Sequence, residues 1–161
     1  MIDSFLEWLQ GTAWAVAIAE GELLFPSIES VHVLALTIVV GSITMIDLRL
    51  IGAAQRHRSV IELTNEVLPW TWTGFAVAAC TGSLLFSSKA VKYFANVPFR
   101  LKMILLLLAG LNMLLFHFVT YRSAPAWHLQ AKIPAAGRIA GGISLFLWIS
   151  IVVCGRWIGF V

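Results

Sequence analysis

The chain runs to 161 residues, 60% of them hydrophobic and only 12% charged, with a formal net charge of +3 and a mean hydropathy of +0.89. A soluble domain of this size carries about a quarter charged residues to wet its surface, so the composition excludes an ordinary water-soluble domain and puts most of the outer surface in lipid. The basic residues lie at the ends of apolar runs instead of forming one patch, which points to contact with anionic headgroups and away from nucleic acid.

Taken in chain order, residues 1–26 come first. Phe5, Leu6, Trp8, Leu9, Trp14 and Ile18 are mixed with Asp3, Glu7, Gln10, Glu20 and Glu22, and the apolar stretch 13–19 is too short to cross a bilayer. The segment reads as an amphipathic helix lying in the membrane interface on its tryptophans, with a fifth span as the rival reading. The first basic residue is Arg49, so the cationic start of a cleavable signal peptide is missing, and the first span is expected to stay in the mature protein.

Residues 27–161 are expected to form an all-α bundle of four membrane-spanning helices, at about 27–53, 67–87, 99–121 and 138–161, each an apolar run of roughly 20 residues. Arg56, His57 and Arg58 close the first run, Lys89 and Lys92 the second, and Arg122 with Pro125 the third; Pro134 and Gly137 precede the fourth. Short connections imply antiparallel neighbours. Trp70, Trp72, Trp127 and Trp157 fall near the ends of these runs, as an aromatic belt requires. Arg49, Arg56 and Arg58 follow the first span with no Lys or Arg before it, which places the N-terminus outside.

Small residues mark where helices approach. The last span carries Gly137 with Gly141 and Gly155 with Gly159, and the second carries Gly74, Ala78 and Gly82, all at four-residue spacing. In lipid, close backbone approach at such stripes holds spans together, within one bundle or against a second copy. Cys80 and Cys154 sit in apolar runs and read as small buried hydrophobes. No spacing suited to zinc or to a c-type haem is present, and no metal site is expected.

Ionisable groups inside a membrane are costly and are functional candidates by default. Glu29 and His32 share a face near the start of the first span, Asp47 and Arg49 close it, and the third span carries Lys102, Met103, Asn112 and His117. At 1.5 Å per residue, His32 lies roughly 7 Å below the start of its helix and His117 roughly 27 Å below the start of a parallel one. One haem cannot take both as axial ligands, whereas Met103 lies near the depth of His32. Asp47 and Arg49 point to different faces. Arg49 is expected to snorkel to the interface, whereas Asp47 needs a donor on the third or fourth span, His117 first. On that reading Asp47→Ala costs more stability than Arg49→Ala. His57 and His128 read as solvated loop residues.

The stretches IESVHVLAL (28–36), VG (40–41), MIDLRLIG (45–52), LPWTWTGF (68–75), FRLK (99–102) and GRWI (155–158) resemble a family of small bacterial membrane proteins that is a domain of unknown function. The resemblance covers nearly the whole chain and implies an inner-membrane location. In form the chain is also distantly similar to membrane b-type cytochromes and copper-resistance D-type proteins. It departs from them in lacking pairs of histidines at matched depth.

Three functions are compatible with these residues. The first is electron transfer as a small b-type-cytochrome-like subunit, with His32 and His117 as haem b ligands at separate sites, one near each face, and Met103 as a sixth ligand opposite His32. The second is a non-catalytic accessory or assembly subunit that packs through its glycine stripes against a larger membrane complex or a second copy. The third is proton-coupled transport along Glu29, His32, Asp47, Arg49 and His117. No phosphate-cradling loop, HExxH, GxSxG or catalytic carboxylate pair is present, so no residue is assigned to catalysis.

Overall fold

A computed structural model describes residues 1–54, 58–120 and 133–160, and among these the chain is all-α, without a strand. Two short helices, α1 (Ile2–Gln10) and α2 (Ala13–Glu20), precede α3 (Leu24–Ile51) and α4 (Val60–Ser88). The short α5 (Ala90–Ala95) leads to α6 (Val97–Leu115) and, after the connection, α7 (Ala135–Trp157). A π-helical turn, Phe116–Thr120, extends α6, and a 3-10 turn, Ile158–Phe160, extends α7.

Local chemistry sets the helix ends. Pro26 lies in the first turn of α3, where its missing amide has no intrahelical partner to lose. The helix stops at Gly52, whose φ of 85° lets its N–H donate back to the Leu48 and Arg49 carbonyls. α4 opens on a capping box in which Ser59 Oγ accepts from the Glu62 N–H and the Glu62 carboxylate accepts from the Ser59 N–H. The helix therefore starts at Val60, two turns before the apolar run at 67 that marked its expected start. α6 begins where Asn96 Oδ1 accepts from the Phe99 N–H at 3.0 Å, with Pro98 in its first turn.

Three stretches, Leu24–Ile51, Val97–Phe118 and Ala135–Phe160, are long and apolar enough to cross a membrane. α4 has the length, 29 residues, but Pro69, Trp70, Thr71, Trp72 and Thr73 dilute its apolar character, so composition alone gives three such helices where four were expected. Trp70 and Trp72 do not sit at a helix end. They are exposed ten residues and more inside α4, and the neighbouring Gly74 packs on Ala35, Ile38 and Val39 at the middle of α3. The N-terminal segment, expected as one helix, is two, interrupted at Gly11 and Thr12, and neither is long enough to span. Leu6, Ala15 and Ile18 are buried. α1 packs on α4 and α5, and α2 on α3 and α4, with Gln10 Oε1 accepting from the Val91 N–H at 3.3 Å.

α3 packs along α4 on one side and α7 on the other, and α7 packs along α6. Each neighbouring pair is antiparallel: residue numbers fall on one helix as they rise on the other, from His32–Thr81 to Ala35–Gly74, and from Asn112–Ala140 to Lys102–Gly155. α3 and α6 therefore run parallel. The middle of the bundle is apolar, with Val39, Ala109, Leu147, Trp148 and Ile151 buried together and Val40, Ile43, Leu105 and Leu106 against them.

Candidate functional site

Polar side chains converge at both ends of this apolar layer. At the end where α3 begins, His32 Nδ1 lies 2.9 Å from Thr81 Oγ1 on α4. The single proton of that hydroxyl goes to the Val77 carbonyl at 2.7 Å, so Nδ1 of His32 is the donor and Nε2 is left to accept. The ring packs against Gly82, where an added Cβ would stand 3.1 Å from Cε1. Lys102 of α6 is half-buried, and its Nζ lies 3.5 Å from where a Cβ on Gly155 would be. Its charge is within reach of both His32 and the Cys154 thiol of α7. All four long helices thus supply a polar side chain at one level.

Glu29, one turn before His32, is exposed and acts instead on Tyr93 of α5. Burial first, and then the Glu29 charge, push the Tyr93 hydroxyl above its ordinary pKa. Lys89 covers the Phe25 ring at 4.9 Å, and Phe86 stacks on Phe99 at 5.2 Å, which ties α4 to α6 at this end.

At the other end Asp47 is 4% exposed. Ser144 of α7 lies beside its carboxyl, while Oδ2 has no partner among the described residues. A partner on the third or fourth span was expected, His117 first, and the structure gives Asp47 Ser144 of the fourth. Asn112 of α6 donates from Nδ2 to the Ala140 carbonyl at 3.1 Å, at the same level. Arg49 does not snorkel. It is 6% exposed, and its Nε donates to the Arg58 carbonyl at 2.7 Å, because the chain after α3 folds back over it. Arg58 in turn pairs with Glu66 on the surface, a contact of small energetic weight.

The glycine stripes are occupied inside the chain. Gly74, Ala78 and Gly82 face α3, where Gly74 meets Val39, Ile38 and the Ala35 carbonyl and Ala78 lies against His32. Gly137 is buried in α7, and a Cβ on Gly141 would stand 2.9 Å from Leu50 Cβ and 3.1 Å from the Asp47 carbonyl oxygen. Gly155 packs against the end of Lys102, and Gly159, beyond the end of α7, has open space around it. Gly82 and His32 form one unit, which gives a prediction. Gly82→Val is expected to lower thermal stability by about 1–3 kcal/mol through overpacking and to cost clearly less in a His32→Ala background. Equal costs in the two backgrounds, measured by melting in one detergent, would refute that coupling.

The structure does not gather His32, Met103 and His117. Lys102 is level with His32, so His117, fifteen residues further along α6, lies about 22 Å away in depth. His117 is exposed and meets Phe118 edge-on at 5.7 Å between ring centres. Met103 is 45% exposed, turned away from the helix face that carries Lys102 towards His32. These placements do not fit a single haem with two axial ligands from this set. Trp127, His57 and His128 lie outside the described residues, and no cluster of three or more His, Cys, Asp or Glu side chains is present among those described. Thr81 and Ser144, missed in the sequence, carry no signal there beyond an ordinary hydroxyl on an apolar helix. No curated protein and no solved structure matches the chain. The comparison that places it is with a family model matching residues 5–161, and by that match the chain belongs to the family of unknown function DUF6644.

Proposed function

We propose that this chain is an integral membrane protein with four spans, α3, α4, α6 and α7, and that it moves a monovalent cation across the bilayer. α4 counts as a span because it lies along α3 from Gly74 to Gly82 and must share its depth. α1 and α2 lie across one end in the interface, with Phe5, Trp8 and Trp14 exposed. The observation that carries the reading is the pair of polar layers, His32–Thr81–Lys102–Cys154 and Asp47–Ser144–Asn112, separated by the packed apolar layer around Trp148 and Ile151. A layer of that kind blocks free leakage, so exchange has to proceed by rearrangement of the helices and not through an open pore.

Two features favour this function over the alternatives. The small-residue faces expected to dock a partner are mostly used up between α3, α4, α6 and α7. The residues expected to hold haem do not converge. A bundle this small works as a carrier more readily as a homo-oligomer, whose interfaces add walls to the route.

The test is ion flux into liposomes holding the purified protein. Flux well above that of empty liposomes is expected, falling about tenfold or more in Asp47→Asn, as loss of a transition-state interaction of roughly 1.4 kcal/mol or more would give. Flux equal to that of empty liposomes would overturn the proposal.

A further inference from the structure

Asp47 is the most deeply buried acidic side chain of the chain, and one of its two oxygens has no hydrogen-bond partner among the described residues. It is 4% exposed, Ser144 lies beside it on α7, and Oδ2 touches neither solvent nor a partner among the described residues. A serine hydroxyl has one proton to give, so Ser144 can serve only one of the two oxygens. α7 cannot move away to open the spot to water without losing the tight contact at Gly141, one turn before Ser144, where the two backbones meet beside the Asp47 carbonyl.

Among the described residues, no neighbouring charge supplies the missing partner. On its own helix, Arg49 is tied to the Arg58 carbonyl. On α7, Arg138 is exposed six residues before Ser144, and on α6, Asn112 is engaged with Ala140 while His117 is exposed. On α4, Glu62 is engaged at the helix cap and Glu66 with Arg58. An ionised carboxylate without a counter-charge is expensive in an apolar medium. A divalent ion would call for six or more oxygens, several of them carboxylates, and no second acidic side chain joins Asp47 in a metal-binding group among the described residues.

We infer that Asp47 is the ion-exchange site of this bundle, with Oδ2 taking up a monovalent cation, a proton or sodium, while Ser144 fixes the other oxygen. The inference rests on the transport reading and names its exchanging group. Ser144 is a positioning residue. It sets the direction of the free oxygen and does not itself receive the ion.

Dicyclohexylcarbodiimide, an apolar reagent for carboxyl groups, tests the site in full-length protein reconstituted into lipid nanodiscs, read by intact mass and peptide mapping. A single adduct mapping to Asp47 is expected, absent from Asp47→Asn and kept in Glu66→Gln. If the ion is a proton, labelling slows severalfold as pH is raised at constant sodium. If it is sodium, labelling slows severalfold when sodium replaces choline at constant pH. Ser144→Ala is expected to keep the adduct but to shift the pH or sodium concentration that halves its rate. Mapping in the wild-type chain locates the adduct even if Asp47→Asn fails to fold. No adduct at Asp47, or one whose rate ignores both pH and sodium, would overturn the inference. Ion-protected labelling without liposome flux would instead leave the site standing and remove the transport reading.

Discussion

Gly141→Val is expected to destabilise the bundle by about 1–3 kcal/mol, towards the upper end of that overpacking range, while Gly142→Val, the next residue, stays within about 0.5 kcal/mol of the parent. The reason is geometric. A Cβ at 141 would press on Leu50 Cβ at 2.9 Å and on the Asp47 carbonyl oxygen at 3.1 Å, whereas at 142 nothing lies within 4 Å. The first set of neighbours is a Cβ and a backbone carbonyl on α3, neither of which can swing aside, so α7 has to back away along its length. Helix propensity changes alike in both variants, so the difference between them isolates the contact. Where helices have no hydrophobic drive to associate, such close approach is the main source of attraction, and a shift of α7 also pulls Ser144 off Asp47. Thermal melting of the two variants in one detergent checks the prediction. Equal midpoints would show that α3 and α7 do not meet at Gly141.

How much of this was legible in the sequence depends on which physical rule was needed. The apolar stretches of α3, α6 and α7 could be read from run length alone, because lipid exposure demands it. The separation of His32 from His117 needs only the rise per residue of two parallel helices. The start of α4 lies two turns before the apolar run at 67, and its signal is in the sequence: Ser59 and Glu62 stand three apart as a capping box, which a search for apolar residues passes over. The pairs His32–Thr81 and Asp47–Ser144 were out of reach. Each depends on the offset between two antiparallel helices, and a shift of one residue would turn the hydroxyl to lipid. Arg49 was misjudged for a different reason. Snorkelling assumes that the next residues leave the helix end open, and here Arg58 is folded back over it.

Arg49→Ala is expected to lower thermal stability more than Asp47→Ala does, the reverse of the order that the sequence implied. Arg49 is buried, and its Nε holds the Arg58 carbonyl at 2.7 Å, which fastens the segment leading into α4 to the last turn of α3. Hydrogen bonds from a charged donor contribute about 1.5–3 kcal/mol, and the alanine variant also loses the packing of the long stem and leaves a carbonyl without its partner. Asp47 stands differently. A hydrogen bond from Ser144 would be worth about 0.5–1.5 kcal/mol, but removing the carboxyl also removes an oxygen that has no partner among the described residues, and the two effects oppose each other. Arg49→Lys is expected to recover little, since an ammonium lacks the planar fork that aims Nε at the carbonyl. Melting of the three single variants in one detergent decides the matter, and a lower midpoint for Asp47→Ala than for Arg49→Ala would refute it. The expected order separates two neighbouring charges by what they do. Arg49 contributes to holding α3 and α4 together, whereas Asp47 is kept half-satisfied at some cost to stability, as groups reserved for function often are.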